Sequence, residues 1–178
     1  MEIAIASIGD MQSYYDFLKR QSMECGHDGE FIFSPLDEPV KRDFAQLRQE
    51  REEKWSKAVT DIGWERVFIA KDNDLVIGEI QLKHTYNLKT CLHRASLSMY
   101  IEKDFRKQGL GSQLMEESVF WLKQQPSLAW VDLCVFANNL PAIKLYKKFG
   151  FIEAGRRVDM FRVHGKSVDD MEMILKLI

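Results

Sequence analysis

The hydrophobic positions of this chain recur with two different periods, and these periods predict its secondary structure. Alternating or continuous apolar runs predict strands, whereas apolar residues three and four positions apart predict amphipathic helices. The predicted strands span residues 1–6, 67–70, 75–82, 93–101, 129–136, 151–163 and 168–177. The predicted helices span residues 10–21, 40–59, 110–123 and 140–149, with Asp10 as the cap of the first.

The resulting order, β-α-α-β-β-β-α-β-α-β-β, predicts an α/β (α+β) fold with one mixed sheet. The helix at 110–123 joins its two strands as a parallel βαβ crossover in the middle of the chain. Residues 22–38 are predicted to form a loop, because glycine and proline interrupt both periods there. Neither a repeat nor a linker divides the sequence, so we expect a single domain over residues 1–178.

The most informative polar segment is a basic, glycine-spaced turn, RKQGLG at 106–111, between a strand and a helix. A helix that begins at such a turn aims backbone N–H groups and its positive dipole end at an anion, and Arg106 and Lys107 add charge. The segment lacks the third glycine of the dinucleotide fingerprint and the G-K-[ST] of a Walker A loop. From these residues alone, a phosphate site and an ordinary turn both remain open.

A second polar pattern lies on the helix predicted at 140–149. Asn139, Ala142, Ile143 and Tyr146 are spaced so that they share one helical face, and Pro141 suits the first turn. One interpretation is a ligand-binding amide followed two turns later by a phenol. The alternative is a helix N-cap and a partly buried core aromatic.

Together, RKQGLG and NNLPAIKLYKKFGF resemble the GCN5-related N-acetyltransferase (GNAT) superfamily. The first segment matches the Q/R-x-x-G-x-G/A acetyl-CoA loop of that family, and the second matches its N-x-x-A-x-x-L-Y-x-K-x-G-F helix. The resemblance implies the acyl-CoA N-acyltransferase fold and direct transfer of an acetyl group to an amine. It also implies acetyl-CoA as the cosubstrate and no metal.

The same resemblance assigns roles to individual positions. The pyrophosphate of coenzyme A would be bound by the loop Arg106, Lys107, Gln108, Gly109, Leu110, Gly111 and Ser112. The pantetheine arm would meet the backbone of Met99, Tyr100 and Ile101 and the side chain of Asn139, at a point where relatives splay two parallel strands apart. Tyr146 would protonate the leaving thiolate as a general acid.

The attacking amine must lose a proton, and the sequence leaves the base for that proton open. Many relatives carry a glutamate on the strand before the loop, where this chain has Ser96. The other candidates are Glu79, His84, His93 and a chain of water molecules. Glu79 belongs to a strand with alternating apolar residues, and this alternation is expected to turn it toward solvent.

Composition narrows the class of partner and the cellular location. A formal net charge of −2 argues against general nucleic-acid binding. No apolar run approaches the roughly 20 residues of a membrane span. The lack of a secretory pattern and three cysteines without metal-ligand spacing favour the cytoplasm. Cys134 lies in an apolar run and is expected in the core.

The acceptor is expected to be a small-molecule or protein amine. The loop at 22–38 carries acidic but no Lys or Arg residues, which would favour a cationic amine, although a solvated acidic loop is the alternative. Relatives commonly form homodimers, and a homodimer is one expectation here. Two other functions stay open: a noncatalytic acyl-CoA-binding sensor on the same fold, and a protein-interaction domain without a cofactor.

Overall fold

The computed structural model describes residues 1–24, 41–86 and 88–177. The helices are α1 (Met11–Glu24), α2 (Phe44–Ser56), α3 (Leu110–Lys123) and α4 (Leu140–Lys148). The strands are β1 (Glu2–Ile5), β2 (Glu65–Asp72), β3 (Leu75–His84), β4 (Arg94–Ile101), β5 (Trp130–Phe136), β6 (Ile152–Val163) and β7 (Lys166–Lys176).

These elements confirm the predicted order and fold class. The strands form one seven-stranded mixed sheet in the order β1-β2-β3-β4-β5-β7-β6. The pair β4 and β5 is parallel and is connected through α3, as predicted for the crossover. The other neighbouring strands are antiparallel.

The two faces of the sheet carry different layers, because side chains alternate along each strand. On one face, α3 and α4 pack on the larger core cluster, which includes the fully buried Ile80, Leu82 and Leu114. On the other face, α1 and α2 cover a second cluster, which includes Tyr14 and Phe17. We call this second side of the sheet the α1/α2 face.

The start and the end of α1 both differ from the prediction. Asp10 does not cap α1; its carboxylate closes the preceding 3₁₀ turn by accepting a hydrogen bond from the Ser7 N–H at 2.8 Å. The same carboxylate pairs with Lys71 at 2.9 Å. The helix continues to Glu24, so residues 22–24 are helical, and the rest of the loop predicted at 22–38, Cys25 included, lies outside the described residues.

The second helix is shorter than the range 40–59 predicted for it. Asp43 caps its N-terminus by accepting a hydrogen bond from the Gln46 N–H at 2.8 Å. Among its few apolar residues, Leu47 is buried, and Phe44 and Trp55 are partly buried against the same cluster. These three residues form the packing face of α2.

The prediction that Cys134 lies in the core is wrong. Along β5, Leu133 and Val135 belong to the larger core cluster, so Cys134 between them points to the α1/α2 face. The helices of that face pack on β2 and β3 rather than on β5, and the thiol is therefore exposed. Its Sγ accepts a hydrogen bond of 3.4 Å from the guanidinium of Arg157.

Candidate active site

The glycine-spaced turn between β4 and α3 has a backbone suited to an anion. Lys107 and Gly109 both have positive φ, at 61° and 87°, and such alternation turns successive N–H groups toward a common side. Among the described residues, none accepts a hydrogen bond from the backbone N–H groups of residues 107–111. The helix begins at Leu110, so its dipole adds positive potential at the same place.

Gly111 serves a different purpose from Gly109, because it lies where three elements meet. A Cβ atom at Gly111 would stand 3.0 Å from Leu145 Cδ2 on α4 and 3.2 Å from Ile101 Cδ1 on β4. A Cβ atom at Gly109 would meet nothing within 4 Å, so Gly109 is needed for its left-handed backbone alone. The first turn of α3 is thus held close to both β4 and α4.

The side chain of Arg106 does not point along the loop. Its Nε donates to the Ile101 carbonyl oxygen at 2.7 Å, and its NH2 group donates to the Glu24 carboxylate at 2.5 Å. Lys148 of α4 lies nearer to the N-terminus of α3, where its ammonium donates to the Ser112 hydroxyl at 3.4 Å. Lys148 therefore brings a positive charge to the first turn of α3, whereas the Arg106 guanidinium is held by Ile101 and Glu24.

The strands β4 and β5 separate soon after they meet. They pair only through residues 94–96 and 130–132, although β4 continues to Ile101 and β5 to Phe136. The Glu102 N–H donates to the Ile77 carbonyl on the β3 side, so by antiparallel alternation Tyr100 also turns its backbone toward β3. Met99 and Ile101 turn their backbone groups toward the gap, whereas the Tyr100 backbone faces β3.

Helix α4 follows β5 and carries Asn139 and Tyr146 on one face, because they are seven residues apart. The Asn139 Oδ1 accepts a hydrogen bond from the Ala142 N–H at 3.3 Å, so the residue is an N-cap whose amide nitrogen is not used in that bond. The Tyr146 ring packs against Phe151, and only 5% of the residue is exposed. Its hydroxyl makes no hydrogen bond with a described residue, and burial raises the pKa of Tyr146 well above its ordinary value.

Glu79 does not face solvent, contrary to the expectation from its strand. It pairs with Tyr100 across β3 and β4 and lies on the α1/α2 face, where α1 covers it and leaves 7% exposed. The Tyr14 hydroxyl donates to its carboxylate at 2.7 Å. Burial raises the pKa of Glu79, and the Tyr14 hydrogen bond and the nearby Arg51 guanidinium oppose that rise.

A second buried carboxylate, Glu65, stands on the same face. Arg51 of α2 forms an ion pair with it, and the Trp55 indole donates to it at 2.9 Å. Gln81 donates to its other oxygen at 3.0 Å. The sequence gives no signal for this group, because its members come from three elements that share no spacing rule.

The other candidate bases are less well placed. Ser96 pairs with Lys83 and points to the α1/α2 face, as a strand carboxylate at that position would. His84 is buried on the opposite face, since it alternates with Lys83 along β3, and His93 is exposed. Of the four candidates, Glu79 is the one that combines the α1/α2 face with a carboxylate.

A family model described as an acetyltransferase (GNAT) domain matches residues 63–153, which is half of the chain and includes the loop and α4. The chain belongs to the GNAT acetyltransferase family. The L-amino acid N-acetyltransferase AaaT of Escherichia coli is 31% identical over 77 residues, which cover 43% of this chain and 48% of that protein. The match thus spans about half of the length of this relative.

Two solved structures establish the GNAT fold over almost the whole chain. The GNAT-family acetyltransferase of Streptococcus pneumoniae has a TM-score of 0.84 and 24% identity, and the match covers 98% of both chains. The phosphinothricin acetyltransferase of Sinorhizobium meliloti, solved in complex with acetyl-CoA, has a TM-score of 0.80 and 16% identity. That match covers 98% of this chain and 87% of the other.

The described residues contain neither a metal-ligand cluster nor a membrane-spanning helix. No group of His, Cys, Asp and Glu side chains in residues 1–24, 41–86 and 88–177 is arranged to hold a metal ion. No helix in this part of the chain is long and apolar enough to cross a membrane.

Proposed function

We propose that this protein is an acetyl-CoA-dependent N-acetyltransferase that transfers the acetyl group directly to a primary amine. The observation that carries the proposal is the run of backbone N–H groups at residues 107–111 that lack acceptors among the described residues. They lie at the start of α3, beside the gap between β4 and β5. A diphosphate fits the first feature and an extended amide-bearing chain fits the second, and coenzyme A contains both.

The proposed binding roles follow from these positions. The loop from Lys107 to Ser112, headed by Arg106, binds the pyrophosphate through its N–H groups, and Lys148 adds a positive charge beside Ser112. Met99 and Ile101 offer backbone groups to the pantetheine arm along the open side of β4. Asn139 adds its amide nitrogen from the start of α4.

Acetyl-CoA supplies a thioester whose carbonyl carbon accepts the amine and whose sulfur leaves as a thiolate. Tyr146 donates its hydroxyl proton to that sulfur. Its raised pKa keeps the phenol protonated at neutral and mildly alkaline pH, which is the form that a general acid needs. The absence of a competing hydrogen bond among the described residues leaves the proton available.

The amine must lose one proton when the new C–N bond forms, and we propose that Glu79 receives it through water. The carboxylate is held by Tyr14 on the α1/α2 face, and its raised pKa brings it nearer to the range of an effective base. Ser96, at the position of the usual strand glutamate, is too weak a base to take this role. A water chain without a protein base is the alternative.

We propose a small-molecule or protein amine as the acceptor, and the name of the E. coli relative supports an amino group as the target. We further propose a cationic amine as the acceptor and a cytoplasmic location, both from composition. A homodimer is proposed because relatives commonly form one. The runner-up function is a noncatalytic acyl-CoA-binding sensor. The observation that favours it is Ser96, because a sensor needs no base on β4.

The decisive experiment has two steps. Acetyl-CoA at millimolar concentration should raise the melting temperature of the protein, since a ligand that binds the native state stabilises it. Release of free thiol is then measured with a panel of amino acids, polyamines and peptide N-termini. Release with at least one amine supports the enzyme; a thermal shift with no release from any amine supports the sensor, and no thermal shift removes both.

A further inference from the structure

Two ion pairs connect the C-terminal end of α1 to the segment that leads into residues 107–112, the proposed coenzyme loop. Arg20 Nε lies 2.6 Å from the Glu102 carboxylate, and the Arg106 NH2 group lies 2.5 Å from the Glu24 carboxylate. Arg20 and Glu24 are four residues apart on α1, so they share one helical face. Glu102 and Arg106 are four residues apart on the loop segment, and we call this pair of ion pairs the α1–loop bracket.

The polarity of the bracket fixes one alignment of the two segments. Helix α1 presents a cation followed by an anion, and the loop segment presents an anion followed by a cation. A slip by one pair would place Arg20 against Arg106 or Glu24 against Glu102. Because like charges repel, the bracket disfavours both slipped alignments.

Additional hydrogen bonds make the bracket rigid at both ends. Arg20 also donates to the Val76 carbonyl oxygen at 2.8 Å, which ties it to β3. The second Glu24 oxygen accepts from the Lys103 N–H at 3.3 Å, and Arg106 also donates to the Ile101 carbonyl. Burial and the Glu24 carboxylate raise the pKa of Tyr100, which lies under the Arg106 guanidinium.

We propose that Glu24 is a positioning residue for acetyl-CoA and acts through Arg106. This inference rests on the proposed function. The Arg106 guanidinium donates hydrogen bonds to Ile101 and Glu24. Its role in coenzyme binding is therefore to hold the loop in place rather than to contact a phosphate. Glu24 keeps Arg106 in that place, and the N–H groups of residues 107–111 are therefore aligned before the coenzyme binds.

The test compares Glu24→Gln with Asp16→Asn. Asp16 forms an exposed ion pair with Lys19 on the same helix and, among the described residues, has no ion pair with the loop segment, so its variant controls for the loss of a charge from α1. Dissociation constants are measured by calorimetry for coenzyme A and for acetyl-pantetheine, which lacks the pyrophosphate and the nucleotide. Kinetics with acetyl-CoA and a turned-over amine give KM and kcat.

In Glu24→Gln, we expect the dissociation constant of coenzyme A and the KM of acetyl-CoA to rise about tenfold, as for a lost charged hydrogen bond. The affinity for acetyl-pantetheine and the kcat at saturating acetyl-CoA should stay within about twofold of wild type, because the reacting atoms are not moved. Asp16→Asn should leave the dissociation constants of both ligands unchanged. In an Arg106→Gln background, Glu24→Gln should add no further loss.

Several outcomes would overturn the inference. One is an unchanged coenzyme A affinity in Glu24→Gln, and another is an equal loss for both ligands, which would indicate a general structural defect. Glu24→Asp retains a carboxylate on the same helix and replaces Glu24→Gln if the latter does not fold. A wild-type protein that binds no coenzyme A would instead refute the proposed function itself.

Discussion

The proposed coenzyme loop and the α1/α2 face adjoin the same stretch of β4, yet they are built in different ways. The loop presents backbone N–H groups from one continuous stretch, residues 107–111, whose geometry depends on two glycines and a helix start. The α1/α2 face presents side chains, such as Glu79 and Tyr14, that are 65 positions apart in the chain. Recognition by backbone is encoded locally, whereas recognition by side chains depends on which elements pack together.

This difference predicts how the two regions respond to substitution. Changes near the loop and α4 should act on the coenzyme or on the leaving thiolate, and they should leave the electrostatics of the other face intact. Changes at the buried carboxylate Glu79 of the α1/α2 face should alter pH dependence rather than affinity for the coenzyme. The variants below separate the two responses.

The largest effect is expected for Tyr146→Phe. Loss of the phenolic proton should lower kcat about 100-fold or more, in the range for a general acid, while the dissociation constant of acetyl-CoA stays within about twofold. Thiol-release kinetics and calorimetry measure the two quantities. Tyr86→Phe, at an exposed tyrosine, is the matched control. Unchanged turnover in Tyr146→Phe would reject the acid role.

A smaller effect is expected for Glu79→Gln, and it should depend on pH. The pKa of Glu79 is raised in the folded protein, so ionising this carboxylate costs more in the folded than in the unfolded state. Wild-type stability should therefore decrease as the pH rises from the ordinary glutamate pKa through the raised one. Glutamine can still accept from Tyr14 and does not ionise, so the variant should lack this decrease, worth about 1.4 kcal/mol per pKa unit.

Denaturant unfolding at pH 4 and at pH 8 measures this difference, with the exposed Glu50→Gln on α2 as the control. The variant should gain stability relative to wild type at the higher pH. The same proteins test the base: wild-type kcat/KM should fall as the pH drops through the raised pKa, and Glu79→Gln should lose that acid limb along with most of the activity. An unaltered acid limb in Glu79→Gln would mean that water, and not Glu79, takes the proton from the amine.

The smallest effect is expected for Cys134→Ser. Because the thiol is exposed, the free energy of unfolding should change by less than about 0.5 kcal/mol. The adjacent Leu133→Ala, which truncates a buried side chain, should cost about 2–5 kcal/mol. Urea unfolding compares the two variants, and a large loss in Cys134→Ser would mean that the α1/α2 face is closed at β5.

The same contrast explains which predictions from sequence succeed. The helix α3 begins and ends at the predicted residues, because a glycine turn precedes it and its apolar spacing continues without interruption to Lys123. The parallel crossover follows from the order of elements, and the loop from its glycines. Each of these signals lies within a short window of sequence.

The failures arise where the exposure of a residue depends on another element. Glu79 is buried because α1 covers β3, and Cys134 is exposed because neither α1 nor α2 packs over β5 on that side of the sheet. Alternation predicts that a residue faces one side of a sheet but not what lies on that side. The ion pair of Arg106 with Glu24 is not visible in the sequence for the same reason, since the two residues are 82 positions apart.

The short ladder between β4 and β5 has a consequence for the stiffness of the molecule. The strands β1 to β4 are joined to the strands β5 to β7 by a short seam, the pairing of residues 94–96 with residues 130–132. So short a seam constrains the angle between the two halves only weakly, and side-chain packing under α3 must carry the rest. A pantetheine arm lying beside Met99 would lengthen the seam, so the coenzyme would act as a removable segment of strand that stiffens the sheet during each turnover.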